Sequence, residues 1–201
     1  RCQFDSAHIT AFFSSMHRDV NQTTYTQTDF DKYVYGSAEV IGLLCLSTFT
    51  AGMTLSLAEK TRLDEGARSL GAAFQKVNFL RDIAVDSRLL GRSYFPGISV
   101  STDQPLADAA KDAIVADIRA DLAVSRASMY LLPRRVHAGV LAAADLFEEL
   151  TDMIDATPAS VLTTTRISVP RRRKLWLTAR AASRVAAQSN RIPPFTEEPR
   201  K

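Results

Sequence analysis

Apolar residues recur along this chain every three to four positions, and polar connectors separate the runs. Phe12, Phe13 and Met16 mark a first helical face, with Asp5 or Ser6 placed to cap it. A connector rich in Thr and Gln, 21–28, leads to Asp29, which reads as the cap of a second helix reaching about Phe49. Gly36, Ser37, Ala38 and Gly42 lie inside that helix. Glycine costs about 0.5–1 kcal/mol relative to alanine in a helix interior, so these small residues predict a close neighbour. A third helix runs from about Leu63 to Arg88 and ends before Gly91-Arg92-Ser93-Tyr94-Phe95-Pro96-Gly97. A fourth spans Leu106 to about Leu132, with Ile114, Ile118 and Leu122 on one face, and Pro133 restarts the pattern for a fifth over Val136 to Ile154. Thr157-Pro158 breaks it, and Pro170 opens a last helix through Arg184.

Six helices and no strand-like alternation predict an all-α, single-domain helical bundle. Residues 1–188 are expected to form the domain, and 189–201, rich in proline and poor in apolar side chains, a flexible tail. The chain opens on Arg1 directly into a helical pattern and reads as a piece of a longer protein.

Composition narrows the class. The 201 residues are 46% hydrophobic and 23% charged, enough apolar material for one buried core. Part of the net charge of +3 comes from the run Arg171-Arg172-Arg173-Lys174, either a solvated helix start or an anion site. No nucleic-acid module accompanies it, which argues against a nucleic-acid partner. Cys2 and Cys45 form no disulfide framework; Cys45 reads as a buried thiol, and a reducing, cytoplasmic setting follows. The longest apolar run, Val40 to Phe49, is far shorter than the roughly 20 residues a membrane span needs.

The third helix carries candidate chemistry. At about 100° per residue, Gln75, Asn78, Asp82 and Asp86 share a stripe roughly 80° wide, opposite Ala73, Val77, Leu80 and Ala84. A wet amphipathic face is one reading. Against it, like charges one turn apart weaken a helix, and Phe79 projects into the same sector, which suits an enclosed cavity. Two aspartates a turn apart suit Mg²⁺, which keeps waters and shares carboxylates with substrate phosphates, and Arg81 offers a fork for phosphate oxygens.

Three ordered motifs give these residues a family. Gln75-x-x-Asn78-x-x-Arg81-Asp82-x-x-x-Asp86, followed by Gly91-Arg92-x-Tyr94-Phe95-Pro96, resembles the second aspartate-rich motif of squalene and phytoene synthases. Tyr33-Val34-Tyr35-Gly36-Ser37-Ala38-Glu39-Val40-Ile41-Gly42 is similar to the family's Y-x-Y-x-x-A-x-x-x-G helix, and Arg166-Ile167-Ser168-Val169-Pro170 with Lys174 to its C-terminal signature. The wording looks most like phytoene synthases of actinobacterial type.

The resemblance implies an isoprenoid-synthase fold and head-to-head condensation of two prenyl diphosphates, geranylgeranyl diphosphate to phytoene through a cyclopropyl intermediate, in carotenoid biosynthesis. It implies Asp82 and Asp86 as ligands of Mg²⁺, with Mn²⁺ as a substitute. Gln75, Asn78, Arg81 and Arg166 would bind the diphosphate end. Tyr33 would act near the reacting carbon, and Ser37, Ala38 and Ile41 would line the tail channel. It also implies a peripheral membrane contact for the lipophilic product.

Three departures accompany it. No D-x-x-x-D pair occurs before Tyr33, where the family's first aspartate-rich motif belongs; Asp19 stands alone. The stretch from Asp86 to Tyr94 is one residue longer than usual, and Phe147 replaces a frequent tyrosine. The missing motif leaves a non-catalytic binding or assembly module of the same family as the alternative.

Overall fold

Asp5 starts the first helix: its Oδ1 accepts a hydrogen bond from the Ala7 amide at 2.8 Å, satisfying a donor that the helix itself leaves free. The computed structural model describes residues 4–20, 22–89, 91–98 and 106–189. Eight α-helices occur among them: α1 (Ser6–Arg18), α2 (Gln27–Val34), α3 (Val40–Phe49), α4 (Leu57–Leu89), α5 (Asp108–Ser128), α6 (Arg134–Asp155), α7 (Ala159–Leu162) and α8 (Arg171–Ser189). Apart from one isolated bridge between Thr24 and Ser93, the described residues hold no β pairing, so the all-α expectation stands. Of the tail expected at 189–201, Ser189 ends α8; the remainder, like Cys2, lies outside the described residues.

Two helix starts differ from the sequence reading. The second helix is capped by Thr26, and Asp29 is the third residue of a capping box, its carboxylate accepting from Thr26. The long helix begins at Leu57, because Ser56 and Glu59 form an equivalent box, Ser56 Oγ accepting from the Glu59 amide and Glu59 accepting from the Ser56 amide. A π-helical turn, Tyr35–Glu39, joins α2 to α3 without a break in the chain's course. Such turns recur at functional sites.

α4, about 50 Å long at 1.5 Å per residue, is the axis of the molecule. It packs against α3, the π turn, α5 and α6, while α8 lies on the outer side of α6. Two glycines set how closely α3 and the π turn approach α4. A Cβ added at Gly42 would come 2.2 Å from the Ala67 carbonyl oxygen, and one at Gly71 would come 2.4 Å from that of Ala38. This is the close neighbour that the small residues predict.

The two halves of α4 meet different surroundings. Ala72, Ala73, Val77, Leu80 and Ile83 enter a filled core with Phe30 and Val34 of α2, Ile114, Ile118 and Leu122 of α5, and Ile154 of α6. The preceding half, Leu63 to Phe74, borders an open apolar groove. At the far side of the core, Lys111 is buried and donates to the carbonyls of Asp155 and Thr157 (2.8 and 3.0 Å), neutralising the C-terminal end of α6.

Candidate active site

The second half of α4 carries Gln75, Asn78, Arg81, Asp82 and Asp86 on one uninterrupted helix, all half-buried. Asp82 is held by two arginines. Arg81 grips it with a fork, Nε to Oδ1 at 3.1 Å and Nη2 to Oδ2 at 2.5 Å, and Arg166 Nε donates to Oδ1 at 2.6 Å. Arg166 comes from the link between α7 and α8, anchored by buried Val169, and is itself exposed. Burial raises the Asp82 carboxyl, but the two guanidinium groups outweigh it and leave it below the ordinary carboxylate value. Asp86, one turn on, accepts no hydrogen bond among the described residues, and burial together with the Asp82 charge pushes its carboxyl upward.

The opposite wall contains a residue that the sequence reading left standing alone. Asp19 follows α1, and its Oδ1 accepts the Tyr33 hydroxyl at 2.8 Å. Arg92 Nη1 lies 3.7 Å from the same carboxylate, and Arg92 Nη2 donates to the Asp19 carbonyl. Gly91, at φ +59°, turns the chain after α4 so that the Arg92 amide reaches the Asp86 carbonyl at 2.9 Å. A sequence signal for Asp19 existed: a carboxylate at a helix C-terminus opposes the helix dipole and calls for a compensating reason. Tyr33 is fully enclosed, and burial and the bond to Asp19 push its phenol far above its ordinary value. Burial likewise pushes Tyr25 up to about 12.

Beyond Gln75 the groove opens, with a volume of about 620 Å³. Ser37, Ala38 and Ile41 of the π turn and α3 stand on one wall, Leu63 and Phe74 of α4 on another, and Val140 of α6 on a third. Cys45 also lines it and is exposed, which corrects the expectation of a buried thiol: its side chain borders the groove rather than the core. Phe147 stacks on Phe74 at 3.8 Å, an apolar contact that needs no hydroxyl. In the basic run, Arg173 forms a fork with Glu149 (2.9 and 2.8 Å) and lies 4.3 Å over Trp176, while Arg171, Arg172 and Lys174 are exposed.

The donor set fits a substrate-completed divalent cation. No cluster of three or more His, Cys, Asp or Glu side chains that could hold a metal occurs among the described residues. Mg²⁺ needs only one or two carboxylates when phosphates supply the rest, and the Asp86 carboxylate, which accepts no hydrogen bond among the described residues and lies beside the Asp82 charge, is the kind of group such a cation neutralises. No helix among the described residues is long and apolar enough to cross a membrane.

Comparison with known proteins agrees with this geometry. The fold matches the crystal structure of squalene synthase HpnC from Alicyclobacillus acidocaldarius with a TM-score of 0.64 at 21% identity, over 76% of this chain and 60% of that one. The chain thus spans about three-fifths of the length of that structure. No curated protein matches it. The characteristic sequence pattern of squalene/phytoene synthases matches residues 1–173, most of the chain and all of the polar site described above, and the protein belongs to the squalene/phytoene synthase family.

Proposed function

We propose that this chain carries the second aspartate-rich half of a phytoene-forming prenyltransferase, which joins two geranylgeranyl diphosphates head to head in carotenoid biosynthesis. The observation that carries the reading is the junction at Gln75: a pair of half-buried carboxylates on one side and an apolar groove of about 620 Å³ on the other. An amphiphile with an anionic head and a long hydrocarbon tail is the ligand class such a junction suits. Leu63 and Gln75 stand about 18 Å apart along α4 at 1.5 Å per residue, room for an extended prenyl tail. The choice of the C20 substrate rests on the wording of the Tyr33–Gly42 and Arg166–Pro170 motifs.

Asp82 and Asp86 would hold Mg²⁺, which supplies Lewis-acid stabilisation of the departing diphosphate when bound. Arg81 and Arg166, which now neutralise Asp82, would turn their forks to phosphate oxygens as the cation takes over that carboxylate. Gln75 and Asn78, between the acids and the groove, orient the head. Tyr33, fixed on Asp19 and packed among Tyr25, Phe79 and Tyr94, would act near the cationic carbon, and Ser37, Ala38 and Ile41 would line the tail's side of the groove. A C40 hydrocarbon product leaves into a lipid phase, which implies a cytoplasmic enzyme with a peripheral membrane contact.

The test is calorimetric binding of a non-hydrolysable geranylgeranyl diphosphate analogue with and without Mg²⁺. Binding should require Mg²⁺, fall by an order of magnitude or more in Asp86→Ala, and be weaker for the farnesyl analogue. Equal binding without Mg²⁺ and by Asp86→Ala would refute the assignment.

A further inference from the structure

Three tyrosine rings beneath the polar site form a nearly equilateral triangle. The centroids of Tyr25, Tyr33 and Tyr94 lie 5.2, 5.4 and 5.6 Å apart, and each residue is less than a tenth exposed. Phe79 stacks on Tyr94 at 4.0 Å and closes the cluster. Apolar packing accounts for the rings. It does not account for the three hydroxyls, and these are treated unequally. Tyr33 donates to Asp19, and the Tyr94 oxygen accepts from Arg92 at 3.3 Å. The Tyr25 hydroxyl is buried and has no hydrogen-bond partner among the described residues.

A buried hydroxyl without a partner is destabilising, and phenylalanine would fill the same place without that penalty. A slack backbone does not explain it. Tyr25 sits in the link between α1 and α2, which is tied on one side by the Ser93 amide donating to the Thr23 carbonyl at 2.9 Å and on the other by the Thr26 capping box. The ring of Tyr25 packs 5.2 Å from that of Tyr33, whose hydroxyl is bound to Asp19, so the Asp19 carboxylate lies on the same side of the cluster and its charge acts on the Tyr25 hydroxyl. Asp19 is at present served by Tyr33 and by Arg92, whose side chain is partly exposed and also feels Asp86. An anion arriving beside Asp86 competes for that guanidinium and would leave Asp19 short of one donor.

We propose that Tyr25 is a positioning residue of the diphosphate site: its O–H takes over Asp19 when Arg92 turns to a phosphate oxygen, so that Asp19 keeps its hold on Tyr33. The inference rests on reading the Asp82–Asp86 end as a diphosphate site, and Tyr25 itself touches neither substrate nor cation.

Tyr25→Phe keeps the ring triangle and removes only the hydroxyl. The 201-residue chain is titrated with inorganic pyrophosphate in the presence of Mg²⁺, and its melting is followed without ligand. The variant should melt at or above the wild-type temperature, yet bind pyrophosphate about tenfold more weakly, the worth of one hydrogen bond to a charged group. In an Arg92→Gln background the added penalty should shrink to less than about twofold, because the exchange that Tyr25 serves is gone. Equal affinities for wild type and Tyr25→Phe would reduce Tyr25 to a packing residue, and an undiminished penalty in the Arg92→Gln background would overturn the exchange. If Asp86→Asn binds pyrophosphate as well as wild type does, the diphosphate reading falls, and this proposal with it.

Discussion

A single helical turn separates Asp82 from Asp86, and two guanidinium groups sit on the first while, among the described residues, none donates to the second. Helix propensity alone predicts that replacing either acid stabilises the helix. The structure separates them. Asp86 has a raised carboxyl, so the folded protein binds its proton more tightly than the unfolded chain does. Its contribution therefore worsens as pH rises from the ordinary carboxylate value through the raised one. Asp86→Asn should melt above wild type at about pH 7, with the difference vanishing by about pH 4. Asp82 has a lowered carboxyl, and its contribution is present above the ordinary value and lost as pH falls through the lowered one. Asp82→Asn should thus melt below wild type at about pH 7 and converge with it in acid. Melting curves of both variants across pH check the pair; shifts of the same sign would contradict the arginine clamp.

At the scale of elements, contacts between helices matter more than the helices' own propensities. α3 approaches α4 through Gly42 against Ala67, and the π turn approaches it through Ala38 against Gly71, with backbone rather than flexible side chain as the obstacle. Gly42→Ala and Gly71→Ala each improve helix propensity, yet should destabilise the fold by about 1–3 kcal/mol through overpacking, measurable by urea unfolding. α8 is fixed by charge. The Asp145 side chain on α6 is fully buried and accepts from Arg126 of α5 (2.7 Å) and from Arg180 and Arg184 of α8 (3.0 and 3.4 Å). Removing that carboxylate takes the shared anion from Arg180 and Arg184 of α8 and leaves Arg126 with Glu148 alone. Asp145→Ala should cost about 3–5 kcal/mol and raise amide exchange along α8 before the rest of the bundle.

Among the described residues the polar site holds the Asp82–Asp86 pair and, across from it, Asp19, and the groove is open along one side, where Ile41 is 37% exposed and Gly139 is exposed. A carbocation formed there meets water. The 201-residue chain by itself should therefore form no phytoene from geranylgeranyl diphosphate and Mg²⁺, while still binding Mg²⁺–pyrophosphate. Extraction and chromatography of the reaction mixture checks this, and any C40 product would overturn it.

The helical fold was legible because the apolar period of 3.6 and the Gly and Pro breaks are local properties of the chain. The stripe of Gln75, Asn78, Asp82 and Asp86 was legible for the same reason: one helix carries all four, so spacing alone puts them on one face. The helix starts at Thr26 and Ser56 were missed although their capping boxes are also local, because Asp29 and Leu63 gave competing signals. What no spacing could reveal are pairings across long stretches of chain. Arg166 reaches Asp82, Arg92 and Tyr33 meet on Asp19, and Gly42 finds a carbonyl on α4. Each depends on how helices pack side by side, and that is decided by summed burial over the whole core rather than by any residue's neighbours in sequence. The exposure of Cys45 follows the same logic: its helix is apolar all round, and only the position of the groove decides which apolar side faces the core.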